Sequence, residues 1–232
     1  MSVYGCCCAS RIPRSGTDLR LSSRFHSPTT TSMTLRDTKL SADAGEHYVC
    51  SMLARYEWAA ALTRDGLART DILVVNTKTR TMIEVQVKTI RAGMWPLGRK
   101  DTQHDLSGRE WYVFVKLGPP PGLPETYVVP RDHVAAGMWI SHQNWLTDPN
   151  VKPGKRNTPL EQTRVGTDIW DAYQDQWDQL EEDTRTVPVL LPGWMRNALE
   201  LDRVGLPEGH PWNDRQRIPD WPAAASAFQQ TR

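Results

Sequence analysis

Residues 70–89 read TDILVVNTKTRTMIEVQVKT, and the fold turns on how this stretch pairs with itself. Asp71 to Asn76 is apolar and β-branched, Thr77 to Arg80 is polar, and Met82 to Thr89 alternates strictly. A period of two puts Ile83, Val85 and Val87 on one face of a strand and Glu84, Gln86 and Lys88 on the other. A four-residue turn at 77–80 pairs Asn76 with Thr81 and sets Asp71 opposite Gln86. Asp71, Glu84, Gln86 and Lys88 then share one face of an antiparallel pair.

The segments on either side extend this hairpin into an α/β unit. Upstream, Ala44, Tyr48, Val49, Met52, Leu53 and Tyr56 recur at helical steps, which predicts a helix from about Ser41 to Tyr56 with Ser41 or Asp43 as its cap. Glu46 falls near the apolar stripe of that helix, where a carboxylate needs a partner, a metal or water. Trp58 to Leu62 reads as a strand ended by an Arg64-Asp65-Gly66 turn. Downstream, Trp111 to Leu117 and Thr126 to Val129 read as strands, and Arg131 to about Gly137 as a helix. Trp58, Trp111 and Trp139 fall at core positions. Residues 150–167 read as a polar loop, and Thr167 caps a predicted helix carrying Ile169, Trp170, Tyr173, Trp177 and Leu180. Residues 192–201 suggest another short helix, and the chain beyond Pro207 reads as irregular.

Composition bounds the remaining choices. The chain has 232 residues, 39% hydrophobic and 24% charged, with a net charge of +1, so bulk charge selects no partner. Mean hydropathy is −0.56. No run approaches the roughly 18 apolar residues of a membrane span, so no membrane partner is expected. Cysteines at 6, 7, 8 and 50 form no disulfide framework, which suits a reduced, cytoplasmic protein. Residues 1–36 carry five Arg and one Asp and lack any periodicity. They read as a disordered extension, as an upstream start with Met33 the true initiator, or as a transit peptide. The expected organisation is therefore an N-terminal extension (1–36), a core domain (37–147), a loop (148–166), a helical extension packing on the core (167–206) and a tail (207–232).

Asp71, Glu84, the Gln86 amide oxygen and Lys88 gather oxygen donors beside an ammonium, with Glu46 able to approach from the helix. Such a set suits a hard dication, Mg²⁺ or Mn²⁺, and the lysine would position water or stabilise phosphate charge. Arg91, Trp95, Arg99 and Lys100, in the loop after Lys88, form a basic-aromatic mix suited to phosphates and bases.

Gly45-Glu46 on a first helix, Thr70-Asp71 opening a strand and Gln86-Val87-Lys88 in the next resemble the PD-(D/E)XK nuclease superfamily. Within it the chain is similar to the branch marked by VQVKT, which includes resolvase-like and intron-associated homing endonuclease-like members. The likeness covers about residues 40–140. It implies a restriction-endonuclease-like αβββαβ core with a mixed sheet flanked by helices, and Mg²⁺-dependent hydrolysis of DNA phosphodiester bonds. On that mapping Asp71 binds metal, Gln86 stands where the second acid usually stands, Lys88 is the catalytic lysine and Glu46 is an added helix carboxylate. Thr70 replaces the motif's proline. Gln86 replaces an acid, so Glu46 or Glu84 restores the lost charge, or else the fold serves as an inactive nucleic-acid or protein interaction module. DNA is the expected partner, with RNA left open, and a homodimer follows by analogy with duplex cutters.

Overall fold

The computed structural model describes residues 38–63, 69–152 and 154–222. Helix α1 (Thr38–Arg55) leads into strands β1 (Trp58–Leu62), β2 (Ile72–Asn76) and β3 (Met82–Ile90). The chain then crosses through β4 (Trp95–Leu97) and a 3₁₀ turn (Arg99–Thr102) to β5 (Glu110–Lys116), β6 (Glu125–Pro130) and helix α2 (Arg131–Leu146). Strand β7 (Thr163–Val165) and helix α3 (Gly193–Leu199) follow. Among the described residues the main sheet has five strands in the order β1-β2-β3-β5-β6, and β4 pairs with β7 in a separate ladder. β3 and β5 run parallel and every other pair is antiparallel, so the sheet is mixed. This is the α/β class that the sequence implies.

The hairpin forms in the expected register. Ile72 faces Val85, Leu73 faces Glu84 and Val75 faces Met82, which continues to Asp71 beside Gln86. Asn76 builds the turn: its Oδ1 accepts the N–H groups of Lys78 and Thr79 at 2.9 and 3.0 Å. Arg80 closes it at φ 64°, in the left-handed region.

Two apolar layers clothe the sheet. On one face Val49 and Leu53 of α1 pack on Ile72, Val74, Ile83 and Val85. On the other, Val134 and Met138 of α2 join Trp95, Tyr112, Phe114 and Val129. β5 is covered on both faces, so its residues are buried from Glu110 to Val115. β2 and the start of β3 have only one clothed face. On the other face of this half Leu73 and Met82 are exposed, but farther along β3 Gln86 is buried and the Lys88 side chain meets Asp101 of the crossover.

Several expectations are corrected. α1 already runs from Thr38, so neither Ser41 nor Asp43 caps it; Ser41 is buried within the helix and accepts the Nε–H of Arg91 at 2.8 Å. α2 extends to Leu146, well past Gly137. The αβββαβ order places a helix after the third strand, whereas here β4 and the 3₁₀ turn make that crossover and α2 follows β6. Residues 167–181 form short 3₁₀ turns instead of a helix. The chain there docks on the free edge of β6, where Gln174 bridges Tyr127 and Asp175 N–H reaches Thr126 O at 3.0 Å, with Asp175 at φ 54°. The apolar residues of that segment are still buried, as the pattern requires. Residues 160–165, expected as loop, include a 3₁₀ turn and β7. Residues 207–222 are irregular but not a loose tail: His210, Trp212 and Trp221 are buried, the two tryptophans in the α2 core. The Arg64-Asp65-Gly66 turn and residues 1–36 lie outside the described residues. No described helix is long and apolar enough to cross a membrane.

Candidate active site

Asp71 closes the β2–β3 pair twice over. Its backbone N–H donates to Val85 O at 3.0 Å, and its carboxylate Oδ2 accepts the Val87 N–H at 2.7 Å. The same Oδ2 accepts from the Gln86 side-chain amide. Gln86 is buried, so this bond meets the need of a buried amide for a partner. Asp71 Oδ1 and Gln86 Oε1 have no hydrogen-bond partner among the described residues. Burial raises the Asp71 carboxyl above the ordinary aspartate range, and the Val87 N–H, Lys88, Lys100 and Gln86 oppose that shift.

Lys88 lies two residues along the same face, its side chain 15% exposed. Its Nζ meets Asp101 Oδ1 at 3.1 Å. Asp101 is 2% exposed and is held from three sides: the Tyr112 hydroxyl donates to Oδ1 at 2.9 Å and the Gly98 N–H to Oδ2 at 2.8 Å. Behind it Arg131 donates to the Tyr112 hydroxyl at 3.2 Å and lies over the same ring, 4.8 Å from its centroid. Arg131 also meets Glu110 at 2.7 Å, and Arg69 grips the same carboxylate at 2.7 Å. The chain of alternating charges Lys88, Asp101, Arg131, Glu110 and Arg69 therefore runs from the site into the protein. Burial, reinforced by Asp101, pushes the Tyr112 phenol far up, so it stays a donor.

Asp101 is the residue that the sequence reading missed. It stands in the polar run Gly98-Arg-Lys-Asp-Thr102, where no periodicity marks it. The available signal was Lys88 itself, because an ammonium on an inward face requires an acid.

The structure brings some expected residues together and keeps others apart. Asp71, Gln86 and Lys88 share the predicted face, and the Lys100 charge acts on Asp71. Glu84 lies on that face too, but its Oε2 accepts the Thr70 hydroxyl at 2.5 Å. Glu46 is half-buried on α1 and acts on the Cys50 thiol one turn along, which burial chiefly raises. Its neighbour Gly45 abuts Thr89 of β3. No group of three or more His, Cys, Asp or Glu side chains able to hold a metal stands among the described residues, so Asp71, Glu46 and Glu84 do not form one cage. Of the crossover loop, Arg91 bonds Ser41 and Arg99 pairs with Glu161 at 2.8 Å on the surface. Trp95 is corrected outright: it is 0% exposed, packs edge-on against Phe114 and Tyr127, and donates its indole N–H to Lys88 O at 2.9 Å. It positions the lysine strand and offers no face to a base.

The donor set fits a magnesium ion in kind. Mg²⁺ is commonly held by one or two carboxylates and keeps several waters, so one carboxylate oxygen and one amide oxygen without partners meet its minimum. Compared with known protein families, with curated proteins and with solved structures, the chain finds no match.

Proposed function

We propose that the protein is a metal-dependent endonuclease hydrolysing DNA phosphodiester bonds, on a restriction-endonuclease-like core in which β4 and a 3₁₀ turn stand in for the helix after the third strand. One observation carries the reading: Asp71, Gln86 and Lys88 meet on one face of the β2–β3 pair, with two oxygens unspent and an ammonium, paired with Asp101, beside them. Asp71 and Gln86 would hold Mg²⁺ or Mn²⁺. A bound dication would acidify water and offset charge on the transferring phosphate. Lys88 is ion-paired with Asp101, and an ammonium has three donors, enough to hold a phosphate oxygen as well and to orient water for in-line attack. Asp101 fixes that ammonium in place. Lys100 adds positive charge near Asp71 for an incoming strand.

A second reading has its own support. Asp71 Oδ2 is already satisfied by Gln86 and Val87, and Lys88 is paired with Asp101, so much of the polar cluster is spent within the protein. That would suit an inactive module binding nucleic acid or protein. Thermal melting with and without millimolar Mg²⁺ or Mn²⁺ separates the two. The nuclease reading expects a rise in melting temperature that disappears in Asp71→Ala, since a ligand that binds only the folded state stabilises it. No rise at any metal concentration favours the module.

A further inference from the structure

Trp145, in the last turn of α2, and Trp194, near the start of α3, are 41% and 43% exposed. Both line an open hollow of about 500 Å³ together with Asn144, Asp148, Arg156 and Arg203. On the other flank of Trp145 lies a second hollow, of about 400 Å³, walled by Met94, His142, Gln162 and Arg164. Ser141 and Trp145 belong to both, so the two form one groove across the C-terminal end of α2.

The groove is positively charged. Three arginines line it against one aspartate. Arg156 meets that aspartate, Asp148, at 3.2 Å, and its guanidinium lies 5.1 Å from the Trp145 ring centroid. Arg203 spends its donors on neutral groups, Thr147 Oγ1 and Asn144 Oδ1, both at 2.9 Å. Arg164 is exposed and has no ion pair among the described residues. Lys152 and Lys155, both exposed, sit in the loop that carries Arg156.

Two exposed indoles on one basic groove match an anionic ligand with flat apolar faces. Indole stacks on a base without reading its identity, and guanidinium groups take the phosphates. A base inside a duplex is stacked on its neighbours and cannot reach an indole, so the strand must be single. We propose that this groove binds single-stranded nucleic acid, with bases on Trp145 and Trp194 and phosphates toward Arg164 and Arg203. None of these residues belongs to the Asp71–Lys88 site, so the inference stands apart from the proposed cleavage.

Binding is measured on the full chain by anisotropy of a labelled oligothymidine strand in EDTA, which removes any metal-dependent cutting. The strand should bind more tightly than a duplex of equal length, quench tryptophan fluorescence and weaken steeply with salt. Trp145→Ala and Trp194→Ala should each weaken it roughly 10-fold, at unchanged melting temperature. Trp194→Ala carries the test if Trp145→Ala does not fold. A strand that does not bind, a duplex that binds better, or a double tryptophan variant with full affinity overturns the inference. So does a proline-rich peptide that competes for the groove while the strand does not. Metal-dependent cleavage that persists alongside any of these results leaves the nuclease reading standing and removes only the groove.

Discussion

Asp132 and Asp71 are both carboxylates that the fold partly dries, and they serve different ends. Asp132 is 3% exposed, and its Oδ1 accepts the Asp105 N–H at 2.7 Å. Burial, with Asp105 and Glu110 nearby, pushes its carboxyl up to about 6 against the pull of Arg131. A raised folded value means that this group's stabilisation is complete below the unfolded range and is lost as pH rises through about 6. The loss amounts to about 2–3 kcal/mol at roughly 1.4 kcal/mol per unit. Buried His133 and His210, held down to about 3 and about 4, push the opposite way as pH falls. Both are present in wild type and in Asp132→Asn, so the comparison isolates the aspartate. Urea midpoints at about pH 5 and about pH 7.5 should therefore fall more in wild type than in the variant. Equal changes would show that Asp132 is solvated. Residue chemistry of this kind was half legible. Asp71, Gln86 and Lys88 followed from alternation and register, which are local. Asp101 and Asp132 did not, because their burial depends on where a crossover and a distant helix land.

At the scale of elements, Gly45 lets α1 lie close against β3. A Cβ on Gly45 would run into Thr89 Oγ1 and lie 3.0 Å from Thr89 Cβ. Glycine there costs helix propensity, roughly 1 kcal/mol against alanine, so the close approach outweighs it. Gly45→Ala should lower stability by about 1–3 kcal/mol through overpacking. Thr89→Ala in the same chain should restore part of that, read as a positive coupling in a double-mutant cycle by urea unfolding. Additive effects would place the strain elsewhere. The hairpin was readable because Asn76 and a polar run fix its turn within a few residues. The segment 167–181 was not, since its apolar spacing satisfies a helix and a string of 3₁₀ turns alike. What decided between them was the edge of β6, which captures Gln174 and Asp175 and ends any helix there.

At the scale of the molecule, the described residues belong to one compact unit, Leu35–Arg232, and its last segment helps to build the core. Trp212 and Trp221 pack against each other, ring centroids 5.7 Å apart, and Trp212 lies 5.2 Å from His133 on α2. Trp212→Ala should cost about 3–5 kcal/mol, as for other buried aromatics. A thermal unfolding midpoint within a degree or two of wild type would show that the segment is dispensable. Proline-rich composition concealed this role, because prolines exclude regular elements without excluding burial. The same compactness bears on the proposed chemistry. Trp95, Tyr112 and Arg131 hold the lysine and its acid from behind.

Supercoiled plasmid incubated with the full chain tests the central claim most directly. Nicking or linearisation that requires Mg²⁺ or Mn²⁺, and that vanishes in both Asp71→Ala and Lys88→Ala at unchanged melting temperature, is the predicted result. Cleavage that survives either substitution, or that proceeds equally in EDTA, would contradict it.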